Sequence, residues 1–208
     1  MRLIGINGGT FDPIHFGHLR PVLEVQTRLN LDQVRFIPCA QPVHRGTPNV
    51  DAEARCRMIE LAIEGQPKFV LDRIEIEREG PSYMVMTLES LAEQFPDDAL
   101  VLILGSDAFA KFSSWYQWQR ILQLANLVVM HRPGDLPPSE GEAGQIFAEY
   151  RAEVFTERSG QIIDLGVTQL DISSTFIRQC LSAGEPVDYL LPESVAVYIH
   201  GHQLYSSF

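Results

Sequence analysis

Short apolar runs alternate with amphipathic helical stretches along the chain, and this alternation constrains the fold more than any other feature of the sequence. The runs have the length and composition of buried strands, and they cover residues 3–7, 34–38, 69–76, 99–104, 126–130 and 162–165. Strands that alternate with helices form βαβ units, in which helices cover both faces of a parallel sheet. We therefore predict an α/β fold with a doubly wound, mostly parallel sheet.

Residues that start and stop helices refine this prediction locally. Asp51, Ser82 and Ser173 each precede a helical stretch and are predicted N-caps. The chain from about 173 to 208 is expected to form a small C-terminal helical part. Residues 133–144 are acidic and rich in proline and glycine, which predicts a surface loop.

The composition limits the classes of partner. The chain has 208 residues and a formal net charge of −11, with a pI of about 4.9. This length suits a single domain over residues 1–208. Such an acidic protein lacks the basic face that phosphate neutralisation requires, so we expect no nucleic-acid partner. No apolar run approaches the roughly 18 residues of a membrane span, and the N-terminus lacks signal-peptide features, so we expect a cytoplasmic protein without a membrane partner.

The first segment with chemical content follows the first predicted strand and runs from Gly8 to His18. The missing side chains of Gly8 and Gly9 let the backbone approach a phosphate closely. His15 and His18 then stand at the start of a predicted helix, where their spacing puts both rings on one face. A helix N-terminus favours anions, and imidazole donors beside it suit a phosphoryl transition state. The segment has neither the P-loop pattern nor the glycine fingerprint of dinucleotide-binding dehydrogenases, so it predicts another kind of phosphate site.

A second segment of this kind, residues 172–178, follows the last predicted strand. Ser173 and Ser174 stand at a helix start, and Arg178 follows one turn later. Helix N–H groups and serine hydroxyls can hold phosphates, and a guanidinium can neutralise a leaving pyrophosphate. Because ligands of such folds sit at the carboxyl ends of the strands, we expect both segments to contribute to one composite site.

Together the two segments resemble the signatures of the HxGH nucleotidyltransferase superfamily, whose members transfer a nucleotidyl group and release pyrophosphate. Residues 8–18 are similar to the first signature and residues 172–178 to the second. The resemblance implies a Rossmann-like fold and catalytic roles for His15, His18 and Arg178. It also implies an ATP site formed by Gly8, Gly9, Thr10, Phe11, His15, His18, Gly105, Asp107, Ser173, Ser174 and Arg178.

Over essentially its whole length, the chain resembles the bacterial nicotinate-nucleotide adenylyltransferases within that superfamily. Residues 42–45, 80–88, 105–107, 115–116 and 190–199 carry this resemblance. Met84 stands where the family usually has threonine, and Arg45 where it has lysine. The resemblance implies that the pyridine ring of the acceptor stacks on Trp115 and that the substrate-binding residues are His44, Arg45, Ser82, Tyr83, Met84, Thr87, Trp115 and Tyr116.

By this resemblance, the phosphate of nicotinate mononucleotide attacks the α-phosphorus of ATP, giving deamido-NAD and pyrophosphate. The expected cofactor is Mg²⁺, held mainly by the ATP phosphates, because the motifs contain no carboxylate cage and no metal ligands are expected from the chain.

Other functions share part of this pattern. Within the superfamily, the alternatives are an adenylyltransferase acting on phosphopantetheine or nicotinamide mononucleotide, and a cytidylyltransferase. From another class, the alternative is a nucleotide-binding module without catalysis, which the intact His15, His18 and Arg178 disfavour. The sequence specifies no oligomeric state.

Overall fold

A sheet of six parallel strands forms the centre of the fold. The structure is a computed structural model, and it describes residues 1–40, 47–135 and 139–206. The strands are β1 (Leu3–Gly9), β2 (Gln33–Pro38), β3 (Phe69–Leu71), β4 (Ala99–Gly105), β5 (Ala125–His131) and β6 (Ile162–Gly166). Their order is β3–β2–β1–β4–β5–β6, and every neighbouring pair is parallel. This order is that of a doubly wound Rossmann sheet, which confirms the predicted fold class.

Helices connect the strands and cover both faces of the sheet. They are α1 (Phe16–Arg28), α2 (Ala52–Ile63), α3 (Ile74–Glu77), α4 (Met84–Gln94), α5 (Ser106–Phe109), α6 (Trp118–Leu124), α7 (Gly141–Tyr150), α8 (Ser174–Ala183) and α9 (Glu193–Gly201). Among the described residues, no helix is both long enough and apolar enough to cross a membrane.

The two faces of β4 show why its sequence is continuously apolar. Val101 and Ile103 pack with residues of α1, α2, α8 and α9 in one core cluster. Leu100 and Leu102 point the other way and pack with residues of α4, α6 and α7. A strand that is buried on both faces has no side to present to water, so alternation between polar and apolar residues disappears.

The structure confirms two of the predicted N-caps and corrects the third. The side chains of Asp51 and Ser173 accept backbone N–H groups at the starts of α2 and α8. The N-cap of α4 is Tyr83 rather than Ser82. The Ser82 hydroxyl instead accepts a hydrogen bond from the N–H of Ala40 at 3.0 Å, which ties the start of α4 to the end of β2.

Two predicted boundaries are also wrong. The strand predicted over residues 69–76 ends with β3, because the Asp72 carboxylate accepts the Ile74 N–H at 3.0 Å and turns the chain into α3. The loop predicted over residues 133–144 ends earlier, since α7 begins at Gly141. The buried residues of α7, among them Ala143, Ile146 and Phe147, recur at helical spacing.

Candidate active site

The ligand crevice of this fold lies where β1 and β4 meet, because the strand order reverses between these two neighbours. Gly8 and Gly9 end β1, and Gly105 ends β4. Asp107 is exposed in the first turn of α5. Its Oδ1 lies 2.7 Å from the position that a Cβ on Gly105 would occupy, so a side chain at Gly105 would collide with it. The N-cap residue of α5 is Gly105, so the Asp107 carboxylate does not act as the N-cap of this helix.

An aromatic pocket opens beside the end of β1. Its wall brings together residues expected at the ATP site and at the acceptor site, namely Gly8, Gly9, Ser82, Tyr83, Met84, Trp115 and Tyr116. The ring centroids of Tyr83 and Tyr116 lie 4.7 Å apart, and Trp115 is half-buried. Aromatic surfaces arranged in this way suit a planar heterocycle.

Four further residues complete the pocket wall, and the sequence motifs did not reveal them: Ile37, Cys39, Glu75 and Ile121. Glu75 is 4% exposed, and its carboxylate accepts a hydrogen bond from the Thr87 hydroxyl at 2.7 Å. Thr87, which was expected to bind substrate, is fully buried, lies outside the pocket lining and contacts Glu75. Burial raises the pKa of the Cys39 thiol, which therefore stays uncharged near neutral pH.

The two histidines of the first motif meet at the start of α1. His15 is the N-cap residue, and its ring stacks on the ring of His18 with centroids 3.8 Å apart. The ring of Phe11 meets His18 edge-on at 5.2 Å. Between the histidines, a Cβ on Gly17 would lie 2.9 Å from two atoms of the His15 ring and 3.1 Å from the Ile172 carbonyl oxygen. Glycine is required there because the His15 ring packs directly over the backbone.

His15 is electrically neutral at pH 7. The residue is 3% exposed, and burial lowers the pKa of its imidazole to about 4. Its Nδ1 has no hydrogen-bond partner among the residues that the structure describes. A neutral imidazole can donate or accept a hydrogen bond, but it supplies no positive charge to a phosphate.

A pH titration of stability tests the burial of His15. Its pKa is about 4 in the folded protein and 6.5 in the reference state, so the unfolded chain takes up a proton first as the pH falls. His15 therefore stabilises the fold fully above pH 6.5 and loses this contribution between pH 6.5 and 4. Across this window, wild type should lose about 3 kcal/mol more unfolding free energy than His15→Gln, measured by urea denaturation. Parallel stability curves would show that the imidazole is not buried in its neutral form.

The second motif is hydrogen-bonded to the first. Ser174 Oγ donates to the Pro13 carbonyl oxygen at 2.9 Å, and Arg178 Nη1 donates to the Asp12 carbonyl oxygen at 2.6 Å. The Ser173 hydroxyl accepts the Phe176 N–H as the N-cap of α8. Both serine hydroxyls thus have structural partners, while the first N–H groups of α8 lack partners within the helix itself.

Two buried charged residues support the first motif: Arg55, which lies outside both sequence motifs, and Asp12, which lies within the first. Arg55, on α2, is 1% exposed and donates from Nη1 to the Thr10 carbonyl oxygen at 2.9 Å. Asp12 is 4% exposed; its Oδ2 accepts two hydrogen bonds from Asn49, and its Oδ1 accepts one from the Tyr205 hydroxyl. A signal for Arg55 does exist in the sequence, because it precedes the apolar Ile59 by one helical turn and so shares the buried face of α2.

Comparison with known proteins assigns the family. The cytidylyltransferase-like family model matches residues 6–180. A Hydrogenovibrio crunogenus protein named "Probable nicotinate-nucleotide adenylyltransferase" is 61% identical over 98% of both chains. A Methylococcus capsulatus protein of the same name is 44% identical over 98% of this chain and 100% of its own. The chain belongs to the nicotinate-nucleotide adenylyltransferase family.

A solved structure shares the fold at much lower identity. Plasmodium falciparum nicotinic acid mononucleotide adenylyltransferase complexed with NaAD superposes with a TM-score of 0.73 and 18% identity. The match covers 99% of this chain and 98% of the other. This chain and that enzyme therefore share one fold.

At Met84 this chain departs from the expected family pattern, which has threonine there. Its side chain lines the aromatic pocket, and its Cε lies 2.7 Å from the position of a Cβ on Gly8. The methionine methyl group thus packs over the end of β1, and a side chain at Gly8 would require the flexible methionine to shift. Two other residues expected to bind substrate, His44 and Arg45, lie outside the described residues.

The described side chains do not form a resident metal site. No group of three or more His, Cys, Asp or Glu residues that could hold a metal ion occurs within residues 1–40, 47–135 and 139–206. Asp12, the buried carboxylate of the first motif, already accepts hydrogen bonds from Asn49 and Tyr205.

Proposed function

We propose that this protein transfers the adenylyl group of ATP to nicotinate mononucleotide, giving deamido-NAD and releasing pyrophosphate. The proposal rests mainly on the contact between the two motifs. Ser174 and Arg178 of the second motif donate hydrogen bonds to the backbone that precedes His15 in the first. The first motif also contributes to the wall of the aromatic pocket. The names of relatives up to 61% identical support the same reaction.

The pocket and the histidines fit a direct transfer. With the pyridine ring between Trp115 and the tyrosines, the acceptor phosphate would face the end of β1. One of its oxygens attacks the α-phosphorus of ATP, the bond from that phosphorus to the bridging oxygen breaks, and pyrophosphate leaves. The Cys39 thiol in the wall is kept protonated by its raised pKa, so it does not provide a nucleophile. Positioning and stabilisation of charge account for the catalysis.

The two histidines take different roles in this proposal. His15 is buried and neutral, and it stacks on His18 and fixes its ring. His18 is half-buried at the start of α1, where its ring can donate to an oxygen of the α-phosphate. A donor held in place before the reaction stabilises the developing negative charge without reorganising.

The nucleotide would extend from the histidines toward α5 and α8. We propose that Thr10 and Phe11 form the edge of the phosphate site. Gly105 would permit close approach of the ribose, and the exposed Asp107 carboxylate would accept hydrogen bonds from the ribose hydroxyls. The N–H groups at the start of α8 and Arg178 would bind the β- and γ-phosphates. ATP would enter as its Mg²⁺ complex, with the metal held by phosphates and water.

Arg178→Ala tests the direction in which the substrates lie. The variant should raise KM for ATP by about tenfold, because a charge-assisted hydrogen bond to the polyphosphate is lost. KM for the acceptor should change little, since Arg178 bonds to Asp12 and Thr175 and does not line the aromatic pocket. Initial rates at varied concentrations of each substrate separate the two constants. Collapse of acceptor binding with unchanged ATP binding would reverse the proposed orientation.

A pyrophosphate-release assay tests the proposed function as a whole. ATP and CTP are each combined with nicotinate mononucleotide, nicotinamide mononucleotide and 4′-phosphopantetheine. Only ATP with nicotinate mononucleotide should give rapid release. Preference for CTP would assign a cytidylyltransferase, preference for phosphopantetheine a sister adenylyltransferase, and absence of release with every pair a binding module.

A further inference from the structure

The C-terminal segment after α9 reaches back to the first motif. Leu204 donates its N–H to the Ile199 carbonyl oxygen, and Leu204 and Tyr205 both pack against the core cluster beneath α1 and α2. The Tyr205 hydroxyl donates to Asp12 Oδ1 at 2.7 Å. A residue at the far end of the chain therefore bonds to the only carboxylate of the Gly8–His18 segment.

Asp12 also contacts Arg178, through both its backbone and its side chain. Arg178 Nη1 donates to the Asp12 carbonyl oxygen at 2.6 Å and lies 3.8 Å from Asp12 Oδ2. That Oδ2 already accepts two hydrogen bonds from Asn49, each 2.8 Å long. With Tyr205 on Oδ1, both carboxylate oxygens have close partners, and the contact with the guanidinium stays long.

We propose that Tyr205 is a positioning residue that keeps Arg178 available to ATP by occupying Oδ1 of Asp12. The inference rests on the proposed function of Arg178 as a ligand of the polyphosphate. Without the tyrosine hydroxyl, Oδ1 of a 4% exposed carboxylate would lose its donor. An unpaired buried oxygen favours a new donor, and the Arg178 guanidinium lies 3.8 Å from the other oxygen, Oδ2, of the same carboxylate. Arg178 would then form a closer pair with Asp12 and turn away from the nucleotide.

The ionisation of Tyr205 is consistent with this role. Burial, together with the adjacent Asp12 carboxylate, raises the pKa of the Tyr205 hydroxyl. The phenol therefore remains a hydrogen-bond donor throughout the pH range in which the protein would work.

The test compares Tyr205→Phe with wild type, Arg178→Ala, the double variant and Tyr198→Phe. The Phe variant removes the hydroxyl and keeps the ring that packs on the core. Tyr198→Phe is the matched control, because Tyr198 lies on α9 and its ring contacts His202 instead of Asp12. Calorimetry gives Kd for ATP without any acceptor, initial rates give kcat and both KM values, and thermal melting gives Tm.

Tyr205→Phe should raise Kd and KM for ATP about fivefold to tenfold, consistent with the loss of one buried hydrogen bond. The value of kcat at saturating ATP, KM for the acceptor and the parameters of Tyr198→Phe should stay near wild type. In the Arg178→Ala background, removing the Tyr205 hydroxyl should have no further effect on ATP binding.

Three results would overturn the inference. They are unchanged ATP binding in Tyr205→Phe, a fall in Tm with kcat and both KM values changing together, and an equal effect of the substitution with and without Arg178. Because calorimetric binding of ATP needs no acceptor, a wrong acceptor would overturn the proposed function and leave this test intact. Failure of wild type to bind ATP would reject both.

Discussion

His18→Ala should lower kcat by about 10²-fold or more while the protein remains folded. The ring of His18 is half-buried, stacks on His15 and meets the edge of Phe11, so it is held in place before the reaction. Loss of one preorganised donor to a developing phosphoryl charge costs about this much in other enzymes. Steady-state kinetics at saturating substrates measure the change in kcat.

A surface histidine provides the control for this prediction. His200 is exposed on α9, and its Nδ1 lies 2.8 Å from the Ala196 carbonyl oxygen of the same helix. His200→Ala should keep wild-type turnover, while thermal melting of His18→Ala should show a folded protein. Wild-type kcat in a folded His18→Ala variant would remove His18 from the mechanism.

The second large effect concerns the acceptor. We expect kcat/KM for nicotinate mononucleotide to exceed that for nicotinamide mononucleotide by about a hundredfold. Met84 begins α4, where helix N–H groups lack partners within the helix, and Tyr116 lies beside it in the pocket. Backbone donors at this end favour a ring carboxylate, whereas an amide NH₂ placed there would face donors with no acceptor. Each mispaired buried group costs about 1–3 kcal/mol.

Glu75 provides the competing arrangement that this prediction excludes. It is the buried carboxylate of the pocket wall, and an amide NH₂ turned toward it would gain an acceptor. Comparable kcat/KM values would contradict the assignment, and a preference for nicotinamide mononucleotide would in addition indicate that the ring substituent lies near Glu75. Trp115→Ala is the control: stacking does not distinguish the two rings, so the variant should weaken both acceptors and preserve their ratio.

The sequence predicted the parts of the site that local patterns encode. His15 and His18 meet at a helix start, and Ser173 caps α8, because a strand–glycine–helix pattern and a serine cap act over a few residues. The sheet followed from alternation of apolar runs and helices. One local error was that the third strand was predicted too long. It ends early because the Asp72 carboxylate accepts a hydrogen bond from the Ile74 N–H.

The rest of the site depends on contacts between residues far apart in the chain. Tyr205 reaches Asp12 from the other end of the sequence, and no spacing rule connects them. Glu75 enters the pocket wall because Thr87, on another helix, donates to it. Arg55 stands on a buried helix face where an apolar residue is the usual expectation. Helical spacing indicates that Arg55 is buried, but the long-range hydrogen bonds themselves leave no periodic signal in the sequence.

The most direct test of the central claim is to identify and count the products from ATP and nicotinate mononucleotide. Deamido-NAD is measured by chromatography with mass detection, and pyrophosphate is measured by a coupled assay in the same reaction. We expect the two to appear in equal amounts, at a rate that depends on both substrates. Pyrophosphate or phosphate released without deamido-NAD, or no reaction with this pair while another acceptor is adenylylated, would contradict the proposed function.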